Sequence, residues 1–298
     1  MTHPAFLAFD TLGLWVGKFE TGYDGATSTA SAQVNSVDTS KIIIKPNVYS
    51  WRNINVGNIF KNSYDYKRDL DSHMMKNTEW GSVAYLQHSK YGSGASVRIN
   101  NNSSYITGYA ATVEPTLGYN NGTSIDGNRI ESTSLSQDGT YTINYLNKNS
   151  VAASTTNNYT GIYDMSGGTW EYVMGYTTGA TTVGGSSDIT SLYSNFFSDS
   201  SYLKYWDKYT TTVNTNYNNR ILGDAVGEMG PFQSEKTSDG TNRIKSSWYG
   251  DHANFADLYG PWLIRSGYWN YGSEAGAFAF GHYTGDILNC SYRIVLAT

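Results

Sequence analysis

The side chains that most often carry chemistry are few in this chain, and their spacing excludes several reaction classes. Cys290 is the single cysteine in 298 residues. An intrachain disulfide or a cysteine-built zinc site needs at least one more thiol. The five histidines, His3, His73, His88, His252 and His282, contain no HxxH or HExxH pair. The usual spacing of a histidine-rich metal centre is therefore missing. No GxSxG turn with a partnered histidine offers a serine nucleophile. Asn, Asp and Gly supply many oxygens, yet no EF-hand-type spacing selects a calcium site. A structural calcium stays open, and no other cofactor is expected.

One stretch near the C-terminus has a different character. From Trp262 to Phe280 the chain has a regular frame punctuated by Gly267, Gly272 and Gly276. Ala277, Phe278, Ala279 and Phe280 alternate small and large, which predicts a strand packed on both faces. From Gly281 to Tyr292 the periodicity vanishes and chemically unlike residues follow in close succession. Tyrosine gives contact area at low entropic cost, and Asn, Ser and His add adaptable hydrogen bonds, a mixture suited to binding. The candidate ligand-binding residues are Tyr268, Asn270, Tyr271, Glu274, His282, Tyr283, Asp286, Leu288, Asn289 and Cys290. They should be exposed and grouped on one face. Trp269, Phe278 and Phe280 should point the other way, into the core.

The elements that must hold such a face are short. The chain has 31 Gly and many Asn, Ser and Thr, which favour turns over helix interiors. Leu14 to Glu20 alternates enough for a strand, and Lys41 to Lys45 is a second apolar run stopped by Pro46. Asn77-Thr78-Glu79-Trp80 opens a helix, with Asn77 or Thr78 as its cap and Glu79 suited to its positive end. Ser201 to Tyr209 places Tyr202, Tyr205, Trp206 and Tyr209 at helical spacing. Residues 92–160, 176–190 and 233–247 are polar and read as long loops or insertions within one domain spanning residues 1–298.

Composition narrows the setting. With 39% hydrophobic and 15% charged residues, 26 Tyr and 8 Trp, the chain has the aromatics that a disordered one lacks. A net charge of −5 argues against a nucleic-acid partner and a polybasic membrane patch. No stretch approaches the roughly 18 apolar residues of a membrane span, and no signal peptide is visible. Met1-Thr2-His3-Pro4 runs at once into Phe6-Leu7-Ala8-Phe9. This reads as a cut at a domain edge, with any targeting or anchoring segment removed.

Four segments together resemble one family. Gly13 to Thr21 is similar to its opening strand, and Lys76 to Tyr85 to its "TEAEWEYAA" helix. Gly161 to Tyr172 is similar to its "GLYDMxGNVWEW" motif, and Ile264 to Trp269 with Tyr292 to Leu296 to its closing "RGGSW…FRxxx" strands. The segments follow family order from residue 13 to 296. The family is that of the formylglycine-generating (sulfatase-modifying) enzymes, a branch of the C-type lectin fold. The resemblance implies an α+β fold, loop-rich with long insertions. Within it, Trp170 and Tyr172 should anchor the core, Glu171 should be a structural carboxylate, and Arg293 should bond to backbone or carboxylate. The family's oxidase chemistry uses a pair of C-terminal cysteines, and with Cys290 alone that pair is absent. The related iron-dependent enzymes bind metal through histidines at a spacing also missing here. The expectation is a chain that is not an enzyme.

The segment after Trp262 also resembles the variable region of retroelement-diversified proteins, such as phage tropism determinants. There, AAC codons become NNC codons, a set that encodes Tyr, His, Asp, Asn, Ser, Thr, Gly, Cys and Leu but not Trp or Glu. Tyr268, Asn270, Tyr271, His282, Tyr283, Asp286, Leu288, Asn289 and Cys290 fit that set. Glu274 does not, and Ser266 stands where the pattern has Gly. The expected function is binding of a macromolecular ligand, a protein, through residues 262–298, on a bacterial surface structure, a pilus-like fibre or a phage. The alternative is a non-diversified structural or carbohydrate-binding member of the same fold; an enzyme with an unrecognised site is more distant.

Overall fold

A computed structural model describes residues 3–6, 13–28, 30–45, 48–94, 97, 133–134, 142–143, 154–156, 158, 160–178, 184–210, 221–236, 242–246, 248–268, 271–287 and 289–297. Its helices are α1 (Val56–Tyr66), α2 (Asn77–Gln87) and α3 (Gly184–Leu192). The strands are β1 (Leu14–Val16), β2 (Gly22–Tyr23), β3 (Ile42–Ile43), β4 (His73–Met74), β5 (Thr133–Ser134), β6 (Thr142–Ile143), β7 (Trp170–Thr177), β8 (Asp207–Tyr209), β9 (Phe232–Lys236), β10 (Asn242–Ser246), β11 (Trp262–Arg265), β12 (Phe280–Tyr283), β13 (Cys290–Tyr292) and β14 (Ile294–Ala297). The class is mixed α+β, with few helices and several small sheets.

The central sheet runs β12-β11-β7-β13, with β8 also paired to β7. Every residue of β7 is buried, so both faces of the sheet are covered. Successive side chains of a strand point to opposite faces. Trp170, Tyr172, Met174 and Tyr176 thus share one face with Trp262, Ile264, Cys290 and Tyr292, and Ile59 and Phe60 of α1 join the same cluster. Val173 and Leu263 lie on the other face, against Trp80, Val83 and Ala84 of α2. A second sheet, β1-β14-β4, joins the first strand to the last.

The four segments quoted above meet in this core. Arg293 donates from Nε to Glu171 Oε2 at 3.0 Å and from Nη2 to Oε1 at 2.5 Å. Its Nη1 reaches Gly17 O at 2.7 Å and its Nη2 reaches Asp164 O at 3.3 Å. One guanidinium therefore ties together the first, third and fourth segments. Trp80 of the second donates to Ala277 O at 2.9 Å. Gly167 and Gly168 have φ of 67° and 72°, a left-handed turn that suits glycine and turns the chain into β7.

Several local expectations change. α2 begins where expected, but neither Asn77 nor Thr78 caps it. Asp207 of β8 accepts from Thr78 N at 2.7 Å, and Glu79 reaches back to Lys76 N at 2.8 Å. Ser201 to Tyr209 is not a helix: it holds a single turn, Leu203–Tyr205, and then β8. Its aromatic spacing serves packing, with Tyr205 and Trp206 in one cluster and Tyr209 in the other. Residues 176–190 are not all loop, because β7 ends at Thr177 and α3 starts at Gly184. Residues 233–247 contain most of the β9–β10 hairpin. Most of residues 92–160 lie outside the described residues. Ala277 to Ala279 forms a turn, not a strand, and β12 starts only at Phe280. Phe278 and Phe280 are both buried, Phe278 stacking on Tyr249 at 4.1 Å.

The polar groups of this core make stability depend on pH. Burial raises the carboxyls of Asp207, Asp224 and Asp251 to about 6, 7 and 8, against an ordinary 3.8. The unfolded chain gives up these protons near pH 4, while the folded chain keeps them. Stability from these groups therefore falls as pH rises from about 4 through each folded value. For His73, burial disfavours the imidazolium, but Glu79 at 2.9 Å reverses this by charge and hydrogen bond, and the value is raised above 6.5. That contribution too is present in mild acid and lost as pH rises. The melting temperature should be higher at pH 5 than at pH 8.5, and Asp251→Asn should flatten the slope. A melting temperature that climbs between those pH values would contradict this assignment.

Candidate functional site: the C-terminal aromatic face

β11 and β12 form an antiparallel pair in which Trp262 faces Tyr283 and Leu263 faces His282. Tyr283 therefore lies on the Trp170 face, and His282 on the opposite one. After β11 the chain turns at Ser266 and Gly267, with φ of 81° and 80°. This explains how a serine stands where glycine is usual. Ser266 Oγ donates to the Gly167 and Thr169 carbonyls, at 2.8 and 3.0 Å, and so stabilises a conformation that its Cβ disfavours. The turn delivers Tyr268 and Tyr271 over the sheet end. Tyr271 meets Trp170 edge-on at 5.6 Å and His252 at 4.9 Å, and Tyr268 meets Tyr271 at 6.1 Å and 82°. Burial raises the Tyr283 phenol, and the neighbouring Cys290, Tyr271 and Tyr268 groups add to it. Three half-buried tyrosines from two segments thus converge.

The loop after β12 is held firmly. Val56 N donates to Gly285 O at 2.8 Å, Gly185 N to Thr284 O at 3.0 Å, and Ile287 N to the Tyr172 hydroxyl at 3.2 Å. A Cβ on Gly285 would lie 2.6 Å from Gly185 Cα, and φ there is 102°; only glycine suits this approach. The loop presents Asp286, which is exposed and accepts from the Thr284 hydroxyl, and Asn289, which is partly exposed.

The other candidates fall elsewhere. Cys290 was expected at the surface but is fully buried in β13, in register with Trp170. Burial pushes its thiol well up, the Glu20 charge raises it further, and the Tyr172 side chain offsets only part of this. A thiol held protonated is a poor nucleophile or metal ligand. Glu274 was also expected outside, but it is buried: its carboxylate lies 3.2 Å from Lys245 Nζ and 4.0 Å from His252 Nδ1. Its burial and its Lys245 partner place it in the frame. His282 bonds Gly260 O at 2.9 Å and lies 3.7 Å from Asp257, on the far side of the sheet from the tyrosines. Asn270, Leu288 and Trp269 lie outside the described residues. His252 and Lys245, which support Tyr271 and Glu274, were missed; nothing in the sequence links them to residues 262–298 until the strands pair.

A pocket of about 340 Å³ lies away from this face, between β1 and α2, lined by Phe6, Leu14, Trp15, Val83, Leu86 and Ile162 among others. Its described lining is mostly apolar, with hydroxyls from Ser82 and Thr160 and no titratable group. Among the described residues, no three His, Cys, Asp or Glu side chains come together to hold a metal ion. Comparison with protein-family models and with curated proteins returns no match, so residues and geometry carry the functional argument.

Proposed function

We propose that this chain is a non-enzymatic binding protein with a C-type-lectin-like fold of the formylglycine-generating type, displayed outside the cell. Tyr268, Tyr271 and Tyr283, with Asp286 and Asn289, contact a macromolecular ligand. One observation carries the reading: a segment whose strands and turns are locked into the core nevertheless leaves three tyrosines half-buried on one face. Amphipathic aromatics on a rigid support suit recognition at low entropic cost. The convergence of three of the four family-like segments on Arg293 supports the fold assignment. The set of diversified positions shrinks accordingly to those that leave the frame intact.

Two tests apply. The DNA beside the gene should hold a reverse transcriptase and a near-copy of codons 264–296 that differs at adenines, with mismatches at codons 268, 271 and 283 and none at 265, 274 or 293. Finding neither element would favour the non-diversified lectin-fold alternative. The protein should also leave a sulfatase-type cysteine peptide unconverted, with or without copper. Formylglycine detected by mass spectrometry would contradict the non-enzymatic reading.

A further inference from the structure

His252 packs directly against the aromatic face. Its ring centre lies 4.9 Å from that of Tyr271 and 5.9 Å from that of Trp170. Its backbone is held from three directions. His252 N donates to Glu274 O at 2.8 Å, Phe280 N donates to His252 O at 3.0 Å, and an antiparallel bridge joins His252 to Lys245 of β10. The side chain is buried, so the ring stays where the backbone puts it.

Its charged and titratable neighbours are Glu274, Lys245, Asp251 and the phenols of Tyr271 and, beyond it, Tyr268. Glu274 Oε2 stands 4.0 Å from His252 Nδ1, beyond hydrogen-bond length, while Glu274 Oε1 is 3.2 Å from Lys245 Nζ. Asp251 accepts from Phe278 N at 3.0 Å, and burial raises its carboxyl to about 8, so it stays largely neutral up to pH 7. An imidazole ordinarily gains its proton between pH 8 and 5. On His252 that proton creates a cation next to a carboxylate and within about 6 Å of two aromatic ring centres, the reach of a cation–π contact. Burial and the Lys245 charge oppose it. Lys245, however, has a long stem and is 24% exposed, so it can turn its charge to water. His252 is held in place, and the carboxylate closes on the ring.

We propose that His252 is a positioning residue for the binding face: its protonation draws in Glu274, fixes Tyr271 against the imidazolium, and makes the face hold a protein ligand more tightly in mild acid than at neutrality. This rests on the binding reading above and adds its regulation; a tyrosine fixed beforehand costs less to order on binding. The probe is a histidine-free peptide selected from a random library on the intact chain at pH 5.5 and lost on Tyr268→Ser/Tyr271→Ser/Tyr283→Ser. Its affinity for the intact chain should fall at least about fivefold from pH 5.5 to pH 7, the lower end of ordinary coupling between sites. His252→Phe keeps an aromatic ring without the proton, and its affinity should be equal at the two pH values. Asp251→Asn should keep the full fall. All variants are confirmed folded by circular dichroism at both pH values. Aromatic NMR of the intact chain without peptide should show the Tyr271 ring signals moving with the His252 titration. Equal affinity at both pH values, an undiminished fall in His252→Phe, or Tyr271 signals that ignore the His252 titration each overturn the proposal and leave the binding face standing. If no peptide distinguishes the intact chain from the serine variant, the binding reading fails and this proposal with it.

Discussion

Glu171→Ala is expected to destabilise the protein by about 3–5 kcal/mol, the usual cost of removing one partner from a buried ion pair. Arg293 and Glu171 are both fully buried, so the orphaned guanidinium would have no water to replace the carboxylate. It also holds the Gly17 and Asp164 carbonyls, so its displacement would loosen β1 and the turn before β7 together. Arg293→Met should cost a similar amount. The double change Glu171→Met/Arg293→Met should cost less than either single change, because an apolar pair leaves no buried charge. Urea denaturation of the three variants checks this. Single variants as stable as the parent would show that the pair does not hold the core.

Trp170→Ala should cost about 3–5 kcal/mol, in the range of other large core truncations. Trp170 is only 2% exposed. It also lies beneath the candidate binding face, with Tyr271 edge-on to it and His252 at 5.9 Å. The cavity left would remove the floor under Tyr271, so ligand binding should fall even at temperatures where the variant is still folded. Thermal melting read alongside binding separates the two effects. An unchanged melting temperature would mean that the motif around Trp170 has been misread.

The frame was legible because its signals are local. Trp170, Glu171 and Arg293 sit in motifs whose residue types already imply burial and pairing, and α2 announces itself by Glu79 and Trp80. What failed depends on distant partners or on exact strand limits. The cap of α2 comes from Asp207, 129 residues away from Thr78. α3 opens with Gly184 and Gly185, which masks a helix in a polar stretch. His282 and Tyr283 could not share a face once both lay in one strand, but the strand's limits were not visible in a segment without periodicity. Cys290 looked like part of the variable run, yet it is the first residue of β13 and pairs with Trp170. Tyr271 is not a free surface residue either; its contacts with Trp170 and His252 imply a cost of about 0.5–1.5 kcal/mol on removal.

The central claim is that a rigid frame carries a replaceable face, and a displayed library tests it most directly. Chains carrying NNC codons at positions 268, 271, 283, 286 and 289 would be sorted for folding by resistance to protease, beside a second library randomised at 265, 274, 290 and 293. The account predicts that most members of the first library stay folded and that some bind an arbitrary protein target which the parent does not. It predicts that most of the second library is cleaved. Equal losses from both libraries, or a first library that is mostly cleaved, would contradict it.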